Sequence, residues 1–374
     1  MSRLWPQALR LKRIEAYVLT QTLGALAVAL GVIAAVVMLM DFVEISRTVG
    51  DEAEIPAIRL LGLMLMKSPA VIVELLPFVF LFGTLGAFVG LNRRGELVAM
   101  RAAGISAWRF VLPAAGAAVA LGVFTVLVVS PAASWMSESY RQQTDAFAAL
   151  AATGDPGEEV VWLREGDGQR QLVIRAEGRD RRSGRLHDVS IFVYTLTPDG
   201  ERTFTERIDA ETATLNAGRW RLTKARGAVT GQQATAYATL DLPSSLDEDE
   251  AFEQFLAPEA APVWTLPGLI DRIGNAGFST TDHRLRLQSL LATPLMFAAM
   301  TILAAAFSLR LLRLGDLALV AVSGVGLGFL FFFINQFTTA MGSAEVLPPV
   351  VAAWLPSFLT ALSALTLLIY TEDG

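Results

Sequence analysis

Few residues in this 374-residue chain have the type and spacing for chemistry, and their pattern argues against an enzyme. Only two histidines occur, His187 and His283, and neither has a partner at the spacing a metal site requires. Cysteine is absent, which removes thiolate ligands and disulfides and leaves the redox compartment unreadable. Lys12, Lys67 and Lys224 are the only lysines, and none follows glycine. A phosphate-cradling loop ends in Gly-Lys-Ser/Thr, so the chain has no such route to ATP hydrolysis. No Gly-x-Ser-x-Gly elbow presents a serine nucleophile. No cofactor or metal is expected, and any energy used must come from another protein.

What remains is charge set within apolar sequence. Lys67 and Glu74 lie seven apart, on one helical face, with Pro69 between them and Pro77 beyond. Charge at membrane depth is costly and either faces a cavity or partner, or sits near the interface and pairs or snorkels. The second feature is RRGELVAMRAAG, Arg93 to Gly104, flanked by the uncharged runs Leu75 to Asn92 and Phe110 to Ser137. Over 92–104 the pattern predicts a short helix: Asn92 as cap, Glu96 in the first turn, Gly104 as terminator. Leu97, Met100 and Ala103 fall on one side, Arg94 and Arg101 on another. Such a helix is too short to cross a bilayer. It rests on lipid headgroups or plugs into a groove on a soluble partner.

The elements that must position these residues follow from composition. The chain is 53% hydrophobic and 18% charged, with mean hydropathy +0.48, whereas soluble domains carry about 25% charged residues. Charge is depleted in two flanking blocks and dense over roughly 138–286. This predicts a membrane protein with an inserted water-facing domain. The net charge of −6 gives no indication of a nucleic-acid partner. Six spans fit, near 16–40, 60–91, 110–136, 287–309, 317–341 and 347–370. The first is preceded by Arg10, Lys12 and Arg13, lacks a cleavage site and reads as a retained span. Basic residues in the N-terminus and in the 92–109 and 310–316 loops, against Asp41, Glu44, Asp51, Glu52 and Glu54 after span one, place both termini in the cytoplasm. Gly86 with Gly90, and Gly324 with Gly328, permit close helix packing within one bundle or between subunits.

The insert reads as β structure. VVWLRE (160–165), QLVIRA (171–176) and VSIFVYTL (189–196) are separated by turn clusters, and NAG before Trp220 signals a hairpin. An antiparallel sandwich or open barrel follows. The acidic, Pro-rich stretch 242–264 reads as a linker or lid, and LPGLIDRIGNAG as a short helix ending near Gly274–Gly277. The expected organisation is helices one to three over 1–137, a β domain over 138–265, a connecting helix over 266–282 and helices four to six over 283–374.

Pro69 and Pro77 followed by GELVAMRAAG resemble the LptF/LptG permease family of lipopolysaccharide exporters. DFVEISRTVG, SYR at 139–141, Pro294, GFLFFFINQF (328–337) and LPPVVAAWLPS (347–357) extend the likeness over nearly the whole chain. The element after span one and the stretch joining spans five and six are more similar to the LptG branch. The resemblance implies a six-helix membrane bundle with an inserted periplasmic jellyroll-like domain, in the bacterial inner membrane. It implies pairing with an LptF-like paralogue, a dimeric LptB-like ATPase, an LptC-like anchored jellyroll and a periplasmic bridge protein, with lipopolysaccharide as substrate. The short helix then couples to the ATPase through Arg94, Glu96, Leu97, Met100, Arg101 and Gly104. Arg47, Arg59, Lys67 and Arg141 are candidates for a lipopolysaccharide-binding rim, and Met38, Phe42, Phe329, Phe332 and Phe333 for the cavity lining. The chain departs from relatives at Asp41, Thr48 and Glu138, where they carry Lys or Arg, and at Leu290. A membrane-anchored scaffold whose β domain binds an envelope partner without moving lipid is the alternative. An intramembrane enzyme is disfavoured by the missing catalytic set.

Overall fold

The computed structural model describes residues 5–50, 57–151, 161–166, 170–180, 185–196, 202–216, 218–229, 233–244, 261–275, 279–311 and 317–373. The linker expected over 242–264 and the 310–316 loop fall mostly outside them. The chain divides into two compact units, Met1–Thr144 with Thr281–Gly374, and Asp145–Thr280.

The first unit is helical. Helix α1 runs Trp5–Gly50, α2 Ala57–Arg93, α3 Glu96–Ala102, α4 Ala107–Phe124 and α5 Ser130–Ala151, with α4 and α5 joined by a π-helical turn at Thr125–Val129. After the β domain and α6 (Leu266–Asn275) come α7 (Thr281–Leu311), α8 (Leu317–Ser343) and α9 (Pro349–Asp373). Among the described residues six stretches are long and apolar enough to cross a membrane: Arg13–Ser46, Leu61–Arg93, Ala107–Thr144, Thr281–Leu309, Val322–Ser343 and Pro349–Glu372. Helices suit these sequences because each satisfies its own backbone donors and acceptors where no water can.

Packing is uneven. In α7, 67% of the most apolar window is buried, against 11% in α1 and 22% in α8. The core lies around α2, α4 and α7, where Phe80 stacks on Phe297 at 4.2 Å and Phe88 meets Phe110 at 6.1 Å. Glycines permit the closest approaches. A Cβ on Gly122 would stand 2.6 Å from Pro294 Cα, so α4 crosses α7 backbone against backbone. Gly324 and Gly328 face Leu85, Leu81, Phe82 and Phe78 of α2, which is packing within the bundle. Gly86 and Gly90 meet nothing within 4 Å.

The second unit holds one antiparallel sheet, β1 (Val161–Gly166), β2 (Arg170–Arg179), β3 (Leu186–Leu196), β4 (Arg202–Asn216), β5 (Arg219–Val229) and β6 (Thr235–Pro243), each strand beside the next. The pairing Asn216 with Arg219 leaves a two-residue hairpin loop in which Gly218 takes φ 71°, as the NAG signal predicts. One sheet face is buried by its own residues, including Ile174, Ile191, Trp220 and Leu222, each 0% exposed. A sheet covers its own face by curling. Ser244, one residue past β6, donates to Glu165 of β1 at 2.5 Å, so the two outer strands approach at one end. The domain is therefore jellyroll-like in wrapping its apolar face inward, but its strands connect in plain succession.

Strict alternation fails at one corner. Buried positions run Ile208, Ala210, then Ala213, Leu215 in β4, and Trp220, Leu222, then Ala225 in β5. Asp188 and Lys224 take φ 47° and 51° beside this skip, and Lys224 pairs across it with Glu211 at 2.5 Å. The strands bend together, which keeps one face inside.

Replacing Gly122 with Val is expected to cost about 1–3 kcal/mol through overpacking against Pro294. Gly116→Val, where nothing lies within 4 Å, is the control. Thermal midpoints in detergent distinguish them; equal midpoints would reject the close crossing.

Candidate functional site

The interrupting segment begins later than its sequence pattern predicts. Asn92 and Arg93 still belong to α2, and the break falls at Gly95, whose φ of 74° turns the chain. Asn92 is therefore not the cap of α3. The other end matches expectation: Gly104 has φ 76°, its N–H bonds Arg101 O at 2.9 Å, and Ile105 N–H bonds Met100 O at 3.1 Å. This double closure on a left-handed glycine is the Schellman stop.

Leu97 and Met100 face inward, whereas Ala103, grouped with them by spacing, is the C-cap of α3 and is exposed. Leu97 is 2% exposed and shares a core with Val18, Phe88, Leu91, Phe110, Ala306, Leu309 and Leu368. Met100 is half-buried against the same cluster. Leu97 thus anchors α3 to its own bundle. The residues left outward are Arg94, Gly95, Val98, Ala99, Ala102 and Ala103, with Val98 62% exposed.

Polar contacts fix the helix at both ends. Tyr17 of α1 donates to Glu96 Oε1 at 3.1 Å, while Glu96 Oε2 is shielded from water and has no hydrogen-bond partner among the described residues. An under-satisfied carboxylate oxygen costs about 1–3 kcal/mol. Arg101 Nη2 donates to Thr371 O at 2.7 Å, and Glu372 Oε2 accepts from Ala107 N–H at 2.9 Å. Tyr17, Thr371 and Glu372 were not legible as site residues, because they stand 79 to 270 positions from their partners.

Of the rim candidates, the side chains of Lys67 and Arg141 are described. Lys67 Nζ lies 2.7 Å from Glu44 and 3.4 Å from Asp41, and Ser68 Oγ donates to Asp41 at 2.7 Å. Asp41 is 5% exposed. The span-one acid that departs from the expected basic residue is thus matched by a span-two lysine. Arg141 is exposed on α5. The side chains of Arg47 and Arg59 lie outside the described residues.

Among the lining candidates, Phe42, Phe329, Phe332 and Phe333 are 41%, 69%, 45% and 60% exposed, and Met38 is half-buried. They lie on α1 and α8, the two least covered spans. Phe332 approaches Phe78 at 6.5 Å, and Phe333 stacks on Phe337 at 6.2 Å. Among the described residues no group of three or more His, Asp or Glu side chains is placed to hold a metal.

Six apolar helices, a β insert and a tethered short helix between the second and third spans define a polytopic membrane protein of bundle type. Residues 16–370 match the family described as lipopolysaccharide export system permease LptF/LptG, and the chain belongs to that family. It is 24% identical over 317 residues to the lipopolysaccharide export system permease protein LptG of Escherichia coli K12, covering 82% of this chain and 84% of that protein. It is 23% identical over 354 residues to the protein of the same name from Haemophilus influenzae, covering 92% and 95%.

Two outcomes are expected from this geometry. Leu97→Ala should cost about 2–5 kcal/mol as a core truncation, whereas Val98→Ala should stay within about 0.5 kcal/mol; unfolding in detergent separates them. Lys67→Met leaves Asp41 buried without its cation and is expected to lose about 3 kcal/mol or more. Lys67→Met with Asp41→Asn should recover most of that. A single variant as stable as the double would show that the pair contributes nothing to the fold.

Proposed function

We propose that this chain is a permease subunit of an ABC-type exporter that extracts lipopolysaccharide from the outer leaflet of the bacterial inner membrane. In this reading it pairs with an LptF-like paralogue and passes the lipid to an LptC-like jellyroll and a periplasmic bridge protein. A separate LptB-like ATPase dimer supplies the energy. Both termini and α3 lie in the cytoplasm, and the β domain is periplasmic.

The observation that carries this reading is α3 itself, in a chain belonging to a family of export permeases. Its root, Leu97, is sunk in the bundle, while Val98, Ala99 and Ala102 face outward beside Arg94. Small side chains and one valine allow a partner's groove to come close, and Arg94 can pair at the groove's edge. Basic residues cluster at this end of the spans, at Arg13, Arg93, Arg94, Arg101 and Arg109, which agrees with a cytoplasmic position. Coupling follows when the groove makes different contacts with α3 in its two nucleotide states. Because α3 is rooted in the core, a displacement there moves packed helices rather than a loose loop.

Lipopolysaccharide is polyanionic and carries several acyl chains, so its path needs an apolar wall and a cationic rim. The uncovered face of α1, mostly aliphatic with Phe42, and the aromatic face of α8 supply the wall. Arg47, Arg59 and Arg141 remain for the rim, with Lys67 largely neutralised by Asp41 and Glu44.

Co-expression with the paralogue and the ATPase tests the assignment. Val98→Asp is expected to lower ATPase recovered with the complex at least tenfold and to stop nucleotide-dependent lipid release, with membrane insertion unchanged. Full export by that variant would favour the scaffold alternative.

A further inference from the structure

The proposed coupling helix is held by the last turn of the last span. Arg101 Nη2 donates to the carbonyl of Thr371, one of the final acceptors of α9, at 2.7 Å. Glu372 Oε2 accepts from the N–H of Ala107, the first residue of α4, at 2.9 Å. Each bond joins a helix end to charge of the sign its dipole favours: a guanidinium at the C-terminus of α9 and a carboxylate at the N-terminus of α4. Glu372 also sits at the C-terminal end of its own helix, where a carboxylate is unfavourable. Its place makes electrostatic sense only through α4.

From this geometry we infer that Glu372 is a positioning residue, closing a clamp between the end of span six and the elbow joining α3 to α4. The inference rests on the coupling function proposed above. A push on α3 reaches α4 through the chain and α9 through the clamp. Span six then moves with the elbow instead of slipping past it. Leu368, one turn back on α9, is fully buried in the core that holds Leu97, so clamp and root act on neighbouring parts of the same helix.

The test uses the full complex of this chain, its paralogue and the ATPase in nanodiscs loaded with rough-type lipopolysaccharide. Glu372→Ala should bind the ATPase and hydrolyse ATP within twofold of the unaltered complex, yet release at least fivefold less lipid per ATP. Glu372→Gln keeps an acceptor for Ala107 N–H and should restore release to within twofold. The chain has no cysteine of its own, so a spin label at Ala103→Cys, attached before the partner subunits are added, reports the elbow alone. Its mobility should rise with Glu372→Ala and not with Glu372→Gln. Unchanged release per ATP, a Gln variant as defective as Ala, or loss of the ATPase from the Ala complex would each overturn the clamp. Failure of the coupling reading shows differently: Val98→Asp would leave ATPase binding and release intact, while the spin label still reports whether the clamp bonds form.

Discussion

A seven-residue helix does not hold itself together in water, since nucleating the first turn costs more than so few hydrogen bonds return. Helix α3 exists because Leu97 is sunk in the bundle core, between residues of α1, α2, α4, α7 and α9. Gly95 and Gly104 supply the left-handed turns that let the chain leave α2, form two turns of helix and enter α4. The outward face of α3 is therefore carried in the frame of the bundle, and whatever grips that face grips the spans behind it.

The same economy governs charge within the membrane unit. Lys67 meets Asp41 and Glu44, Ser68 completes Asp41, and Trp354 Nε1 donates to Gln288 at 3.0 Å. These polar groups are matched across helices, which lowers the cost of holding them at membrane depth, while Thr22, Thr293 and Thr360 bond to carbonyls of their own helices. Apolar surface is treated differently. Large apolar side chains on α1 and α8 stay exposed while α7 is enclosed, so the bundle has a covered interior and open flanks.

Much of the architecture was legible in the residues. Runs of uncharged sequence marked six spans, alternation marked most strands, and NAG marked the tight hairpin. The misreadings have physical reasons. Asn92 is a good cap by type, yet α2 continues through it because the chain can turn only at Gly95. Leu97 and Met100 share a face as their spacing requires, but spacing does not say whether that face looks into the protein or away from it. Gly86 and Gly90 match Gly324 and Gly328 in spacing, and only the second pair packs against a neighbouring helix of this chain. In the β domain, the skip between Ala210 and Ala213 breaks the alternation where the sheet turns its corner.

Sequence by itself determined the length and polarity of each element, since the cost of placing charge or bare peptide groups in hydrocarbon depends on composition along the chain. It also determined where α3 stops, because a left-handed residue favours glycine. Only the tertiary structure decided what α3 leans on and which side it leaves free. Tyr17, Thr371 and Glu372 become its neighbours when distant helices pack, and hydrogen bonds form between atoms near in space whatever their separation along the chain.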